Sequence, residues 1–310
     1  MGASTLAIDT IPWGRWPEAW RIRRNGVELV VVGEIGPRIM LLRRGDGPNI
    51  LHVDEELAVR RGDWTFYGGS RFWVSPETEA SYHPENARCS VVVDAAGITL
   101  AAPAEPSGLR RSLRIAAGDG DEDFRITYRL ANQGEMIARG GIWVLSCIRG
   151  PGRLVCPWDD GTDAWSTQMI RFWRRWSTFG TDVASPQWHL GNGMLVIEPT
   201  GEVGKVGLFS KHGLLALVRP DGTFAKYARP MPGLTYPDGG CNLEICTTPN
   251  FIEMETLGPV MDLLPGDSIE HEERWLWTAD RFEPNQWPDV LGRLGVSPQT
   301  SVSPNTEEQQ

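Results

Sequence analysis

The sequence predicts an all-β fold made of many short strands with few short helices. Apolar and polar residues alternate over several stretches, which is the period of a half-buried strand. Turn-forming residues are frequent, with 35 Gly and 23 Pro in 310 residues. Helical spacing of apolar residues occurs in only two places. Many short strands separated by Gly/Pro turns are typical of a β-sandwich or barrel.

In the first half of the chain, the clearest strands are residues 27–32 and 124–130. The first is almost entirely apolar and ends at Gly33, and the second alternates apolar residues with arginine and threonine. Residues 91–93 and 98–100 flank the turn Asp-Ala-Ala-Gly, so they predict a β-hairpin.

The second half of the chain repeats this pattern. Residues 214–218 and 223–227 flank Pro-Asp-Gly, whose turn chemistry predicts another hairpin. Residues 243–245, 251–256 and 269–277 predict three more strands, and the last follows the turn Leu-Pro-Gly-Asp.

Two segments have helical spacing. Residues 163–176 carry apolar side chains at Trp165, Met169, Phe172, Trp173 and Trp176, which predicts a short helix. A second short helix is predicted to begin at Asn285. We expect one β-sandwich domain over residues 1–296, followed by a disordered tail over 297–310, because that tail is polar and has no apolar face.

Composition narrows the function classes. The formal net charge is -10 and the isoelectric point is about 5.1, so nucleic acid is not an expected partner. No secretory leader and no apolar stretch long enough for a membrane span are visible, which predicts a cytoplasmic protein without membrane contact. The five cysteines show no CxxC spacing and are expected to be reduced.

Tryptophan is unusually frequent, with 14 residues. An indole ring can stack on the C–H face of a pyranose while its N–H donates a hydrogen bond, although a single tryptophan more often belongs to a core.

Several motifs together resemble the galactose-mutarotase-like superfamily. The early ones are Glu-Ile-Gly-Pro-Arg-Ile at 34–39, Asn-Ile-Leu at 49–51 and Tyr-Gly-Gly-Ser-Arg-Phe-Trp-Val-Ser-Pro-Glu at 67–77. The late ones are Tyr-Pro-Asp-Gly-Gly-Cys-Asn-Leu-Glu at 236–244, Glu-Met-Glu-Thr-Leu-Gly-Pro at 253–259 and Leu-Pro-Gly-Asp at 264–267. Within that superfamily the chain is most similar to an uncharacterised bacterial group labelled DUF4380.

The resemblance implies a large twisted antiparallel β-sandwich with a concave face that binds a small-molecule carbohydrate. In aldose 1-epimerases of this superfamily, a late glutamate is the base, and Glu255 matches its place. Glu253 would share its strand face, because side chains at i and i+2 point the same way. Two inward carboxylates in an apolar strand are costly without a function or a partner.

Both histidine positions that the resemblance implies are empty. The mid-chain Asn-His motif would fall near residues 140–143, which contain no histidine, and Ser70 stands where the DUF4380 group often has one. His83 is the best replacement as the acid, and His212 is second; a histidine in an exposed loop is the simpler interpretation of His83.

Glu253 and five further residues are candidates for substrate binding, and each of the five has a structural alternative. Arg71 and Glu77 could bind sugar hydroxyls or pair with each other. Lys211 and Lys226 bracket a hairpin and could reach the concave face or remain exposed. Asp238 could bind a hydroxyl or simply form its turn. No metal-ligand spacing, phosphate loop or dinucleotide motif is visible, so no metal and no cofactor are expected.

Three functions therefore stay open at this point. The first is an aldose 1-epimerase-like enzyme with Glu255 as base and His83 as acid. The second is a carbohydrate-binding protein that kept the fold and lost the catalytic histidine. The third is a lyase or glycosidase that uses Glu255 with Glu77 or Glu253 as a carboxylate pair. The sequence leaves the sugar and the oligomeric state open.

Overall fold

Two large β-sheets make up most of the molecule. The computed structural model describes residues 6–158, 167–176, 179–191 and 193–296. In chain order the strands are β1 (Ala7–Trp13), β2 (Trp16–Arg24), β3 (Val27–Val32), β4 (Arg38–Arg44), β5 (Arg60–Arg61), β6 (Trp64–Thr65), β7 (Ser70–Ser75), β8 (Ser90–Asp94), β9 (Gly97–Ala101), β10 (Leu109–Ala117), β11 (Asp123–Asn132), β12 (Ala138–Arg149), β13 (Arg153–Pro157), β14 (Ile170–Phe172), β15 (Trp188–Gly191), β16 (Met194–Ile197), β17 (Gly204–Leu208), β18 (Leu214–Arg219), β19 (Gly222–Ala228), β20 (Leu243–Thr247), β21 (Phe251–Leu257), β22 (Met261–Leu263) and β23 (Ser268–Thr278).

The strand order confirms the predicted antiparallel sandwich. The first sheet runs β1-β2-β3-β4-β7-β12-β21-β20-β17-β14, and β22 pairs with β12 beside it. The second sheet runs β15-β16-β13-β18-β19-β23-β11-β10-β9-β8, while β5 and β6 form a small separate hairpin. Neighbouring strands pair antiparallel, including both hairpins that the turn chemistry predicts.

The core lies between the two sheets. Side chains at alternate positions of each strand meet there, among them Phe72 and Met254 from the first sheet and Tyr128 and Trp275 from the second. The rings of Phe72 and Tyr128 pack edge to face with their centroids 5.3 Å apart. Because successive side chains of a strand point to opposite faces, the neighbours of these core residues in the first sheet face outward.

Helices are few and short. They are two 3₁₀ helices (Glu79–Tyr82 and Pro284–Gln286), α1 (Pro237–Gly240) and α2 (Trp287–Arg293). The last confirms the helix predicted near Asn285, and it buries Val290 and Leu291. Within the described ranges, no helix is both long enough and apolar enough to span a bilayer.

The helix predicted over residues 163–176 is wrong for the part that the structure describes. Residues 170–172 form β14 instead, and Ile170 and Phe172 pair with Leu208 and Val206 of β17. An apolar pattern over so few residues fits either element, and the open edge of the first sheet supplies the hydrogen bonds that favour a strand. Residues 159–166 and the predicted tail, 297–310, lie outside the described residues.

Candidate functional site

Five adjacent strands of the first sheet carry polar side chains on the face that points away from the core. These strands are β7, β12, β21, β20 and β17 in spatial order. In one row the cross-strand partners are Arg71, Leu145, Glu255 and Glu244, and in the next row they are Cys147, Glu253, Cys246 and Lys205. The strand order therefore gathers residues from distant parts of the chain onto one floor.

A cleft of about 550 Å³ lies over this floor. On the β7 side its wall is formed by the β5–β6 hairpin with Trp64 and by Tyr82 of the first 3₁₀ helix. On the β17 side the wall carries Trp176 and Phe179. Aromatic walls around a few charged groups are the usual composition of a small-molecule site.

Lys205 is the charge centre of the floor. Its Nζ lies 2.8 Å from Glu244 Oε2 and 3.1 Å from Glu255 Oε2. The same ammonium lies 4.7 Å from the ring centre of Trp143. Burial by itself would lower the pKa of Lys205, but the carboxylates of Glu255 and Glu244 outweigh burial and raise it well above its ordinary value. Lys205 is therefore a permanent cation at neutral pH.

Glu255 is completely buried beneath the cleft. Trp143 Nε1 donates a hydrogen bond of 2.6 Å to Glu255 Oε2, the oxygen that also contacts Lys205. Its other oxygen, Oε1, has no hydrogen-bond partner among the described residues. The side chain is thus held by an ion pair and an indole, and it lies beneath the surface of the floor, where it does not line the cleft.

Glu253 is the carboxylate that does line the cleft. It is partly exposed, and Cys147 Sγ lies 3.5 Å from Glu253 Oε1 as a donor. Burial, and next the charge of Glu255, raise the pKa of Glu253 from 4.5 to about 7. Near neutral pH this side chain can therefore either accept or release a proton. Burial also raises the pKa of Glu244 well above its ordinary value.

Arg71 and Glu77 both line the cleft. Arg71 is 5% exposed, and its guanidinium carbon lies 3.9 Å from the ring centre of Trp73. Among the described residues no ion pair joins Arg71 to Glu77. Glu77 is exposed and accepts a hydrogen bond from the Tyr82 hydroxyl instead. The two side chains are therefore not committed to each other.

Three other predicted site residues lie outside this cleft. His83 is exposed and lines a neighbouring pocket of about 580 Å³, because Tyr82 takes the position of the 3₁₀ helix that faces the cleft. Lys211 is exposed and lines a separate pocket of about 400 Å³. Asp238 is an exposed residue of the α1 turn with a left-handed φ of 51°, close enough to Glu244 to contribute to its raised pKa.

Lys226 does not reach the cleft, which corrects the expectation that it lies on the ligand-binding face. It is fully buried between the sheets, because its position on β19 alternates inward with Phe224. Its Nζ lies 2.8 Å from Glu273 Oε1 and donates to Ser146 Oγ and to the Met254 carbonyl, each at 3.0 Å.

The ion pair of Lys226 supports the cleft from behind. Met254 is the residue between Glu253 and Glu255, so the second sheet holds the site strand β21 by its backbone. Thr256 Oγ1 adds a hydrogen bond of 2.5 Å to Glu273 Oε1.

The Gly-Gly pair before Arg71 allows close packing between two backbone segments of this chain. A Cβ at Gly68 would lie 2.2 Å from the His52 carbonyl oxygen, and a Cβ at Gly69 would lie 2.4 Å from the Ile39 carbonyl oxygen. Both residues have a positive φ, near 72° and 71°. The pair lets β7 pass close to neighbouring backbone and so places Arg71.

Sequence reasoning missed Lys205, Glu244 and Trp143. The sequence did contain a signal for Glu244. A carboxylate within the apolar run 243–245 is unusual, as Glu253 and Glu255 are within their apolar strand. Lys205 gave none, because one lysine in a short strand is ordinary. Among the described residues, no group of three or more His, Cys, Asp or Glu side chains has the geometry of a metal site.

No protein-family model and no curated protein sequence matches the chain. Several solved structures do match the chain in fold. A TPR-domain containing protein from Parabacteroides distasonis has a TM-score of 0.60 at 12% identity, with 98% of this chain and 57% of that chain covered. The chain thus spans little more than half of that protein.

Shorter relatives match over nearly their whole length. A protein from Klebsiella pneumoniae, described provisionally as an aldose 1-epimerase, has a TM-score of 0.58 at 12% identity, with 98% of this chain and 93% of that chain covered. A galactose mutarotase-like protein from Lactobacillus casei has a TM-score of 0.56 at 10% identity, with coverages of 88% and 100%. At such identities the likeness establishes the fold, which is galactose mutarotase-like.

Proposed function

We propose that this protein binds a carbohydrate in the cleft and carries out acid–base chemistry on it, as an aldose 1-epimerase does, with Glu253 as the proton-transfer group. The observation that carries the proposal is the position of Glu253. It is a carboxylate with a pKa of about 7 on the floor of an aromatic cleft that also presents Arg71 and Lys205. The fold shared with mutarotase-like proteins supports a sugar as the ligand.

Glu253 replaces Glu255 in the role that the resemblance implies. Mutarotation requires removal of the proton of the anomeric hydroxyl and donation of a hydrogen bond or proton to the ring oxygen as the C1–O5 bond breaks. Glu253 is accessible for the first step, while Arg71 and Lys205 line the cleft as cationic donors for the second. Glu255, paired with Lys205, acts as a positioning residue that keeps this cation in place and raises the pKa of Glu253.

The test compares Glu253→Gln and Glu255→Gln with wild type. We expect Glu253→Gln to lower the rate of anomer exchange by about 10²–10⁴-fold, the usual cost of losing general acid–base catalysis, while sugar affinity changes little. Polarimetry on fresh α-anomers and exchange NMR measure the rate, and titration measures affinity. Glu270→Gln, an exposed carboxylate of β23 that does not line the cleft, is the matched control. A selective loss of turnover in Glu255→Gln alone would contradict the roles assigned here.

A binding protein without catalysis is the second candidate. It is favoured by one observation: none of the described residues that line the cleft is a histidine, and His83 faces another pocket. If wild type binds sugars but exchanges no common aldose faster than water does, this second function replaces the first. A carboxylate-pair lyase or glycosidase would use Glu253 with Glu77, which line the same cleft, and new reducing ends in the assay would identify it.

Two finer proposals concern kinship and location. We propose that the chain is related to the DUF4380 group, which the order of the motifs, within a resemblance over roughly residues 20–280, supports. We also propose a cytoplasmic location. All five cysteines are free and buried, which suits a compartment where thiols stay reduced.

A further inference from the structure

The β17 side of the cleft carries an aromatic pair that the proposed chemistry does not use. Phe179 is 50% exposed, although a large apolar ring is normally buried. The ring of Trp176 lies beside it, with the centroids 6.0 Å apart and the planes at 41°. Both residues line the same cleft as Glu253.

The backbone holds this pair in place. Trp176 N–H donates to the Phe179 carbonyl at 3.0 Å, and Phe179 N–H donates to the Trp176 carbonyl at 2.9 Å. The reciprocal hydrogen bonds present both rings at the cleft rim. A ring that is fixed before binding loses little conformational freedom when a ligand stacks on it, so its exposure favours binding.

The aromatic pair and Glu253 belong to different parts of the cleft. Glu253 and Lys205 occupy the same row but are separated by the strand β20, which places their backbones about 10 Å apart at the usual strand spacing. The wall that bears Trp176 and Phe179 lies on the far side of Lys205, since β14 is the edge strand next to β17. The floor from β7 to β17 spans four strand spacings, or about 19 Å.

We propose that Trp176 and Phe179 form a second sugar subsite, so that the ligand of this cleft is an oligosaccharide and not a single monosaccharide. One unit lies over Glu253, and a following unit stacks on the exposed ring of Phe179. This inference rests on the proposed carbohydrate-binding function and names the substrate class of the same site. Stacking on an aromatic face is tolerant of the sugar's identity, so chain length is the property that this subsite selects.

The experiment is a length series on the intact chain. Glucose, galactose and xylose, with their β-1,4-linked dimers to tetramers and the α-1,4-linked glucose series, are titrated against wild type, Phe179→Ala and Leu190→Ala. Leu190 is 54% exposed and does not line the cleft, so its variant controls for loss of a surface apolar side chain. Melting curves establish that all three proteins are folded.

We expect the affinity of the best-bound series to rise about tenfold from monomer to trimer, the equivalent of one aromatic stacking contact. Phe179→Ala should remove most of that gain and leave monosaccharide affinity within about twofold, and Leu190→Ala should change neither. Equal affinity for monomer and trimer, or an equal loss for both in Phe179→Ala, would overturn the second subsite while sugar binding stands. Failure of every saccharide, of any length, to bind would overturn the proposed function and this inference with it.

Discussion

Glu253 makes the stability of the protein depend on pH in a direction opposite to that of an ordinary carboxylate. Its pKa is raised from 4.5 to about 7 by burial and by Glu255. Between these two values the unfolded chain has released the proton while the folded protein still holds it, so the free energy of unfolding falls as pH rises. Each pH unit in this window is worth about 1.4 kcal/mol, and the full contribution is about 3 kcal/mol. This stabilising contribution is fully present below pH 4.5 and is lost above about pH 7.

Glu253→Gln should remove this dependence, because an amide does not titrate. We expect urea unfolding at several pH values from 4.5 to 8 to show wild type losing about 3 kcal/mol relative to the variant as pH rises. Carbon-13 NMR of the side-chain carboxyls gives a second measurement, in which one signal titrating near pH 7 should vanish in the variant. Parallel stability curves for the two proteins would refute the argument.

Two further predictions concern the support of the site. Lys226→Met should cost about 3–5 kcal/mol, because it leaves the Glu273 carboxylate buried without its ion-pair partner. Adding Glu273→Gln removes the buried charge and keeps an oxygen for the Trp275 and Tyr128 donors, so it should recover part of this loss in chemical unfolding; no recovery would show that the pair is not the cause. Gly69→Ala should cost at least about 2 kcal/mol, because it combines a left-handed φ with a contact to the Ile39 carbonyl. Gly26 is the control, because its φ of 79° is also left-handed but a Cβ there would meet open space. Gly26→Ala should therefore lose less stability than Gly69→Ala. Equal losses in the two variants would show that the contact with the Ile39 carbonyl has no effect.

The fold was predictable because strand periodicity is a local property. The alternation over residues 124–130 and the turn chemistry before residue 223 specify β11 and the β18–β19 hairpin without any tertiary information. The predicted helix over 163–176 failed in its described part for the complementary reason. Whether a short aromatic-rich segment becomes an edge strand depends on the hydrogen bonds that β17 offers, and those lie outside the segment.

The candidate site was predictable only in part. Glu253 and Glu255 share a strand face because they are two residues apart, and this follows from the sequence alone. The sequence does not show which of the two lines the cleft. Glu255 is covered by Trp143 of β12 and Lys205 of β17, and these strands are distant from it in the sequence or meet it only in the folded sheet. For the same reason Lys226, which looks equivalent to any exposed hairpin lysine, lies between the sheets.

By itself, then, the sequence determined the all-β class, most of the strands, their turns and the pair of carboxylates on one strand, since each of these depends on residues within a few positions. Only the tertiary structure decided the order β7-β12-β21-β20-β17, and that order is what brings Arg71, Glu253 and Lys205 onto one floor. Within that order β12 pairs with β21, although the partners Leu145 and Glu255 are 110 residues apart in the sequence. Their register depends on packing between the two sheets, which local periodicity does not encode.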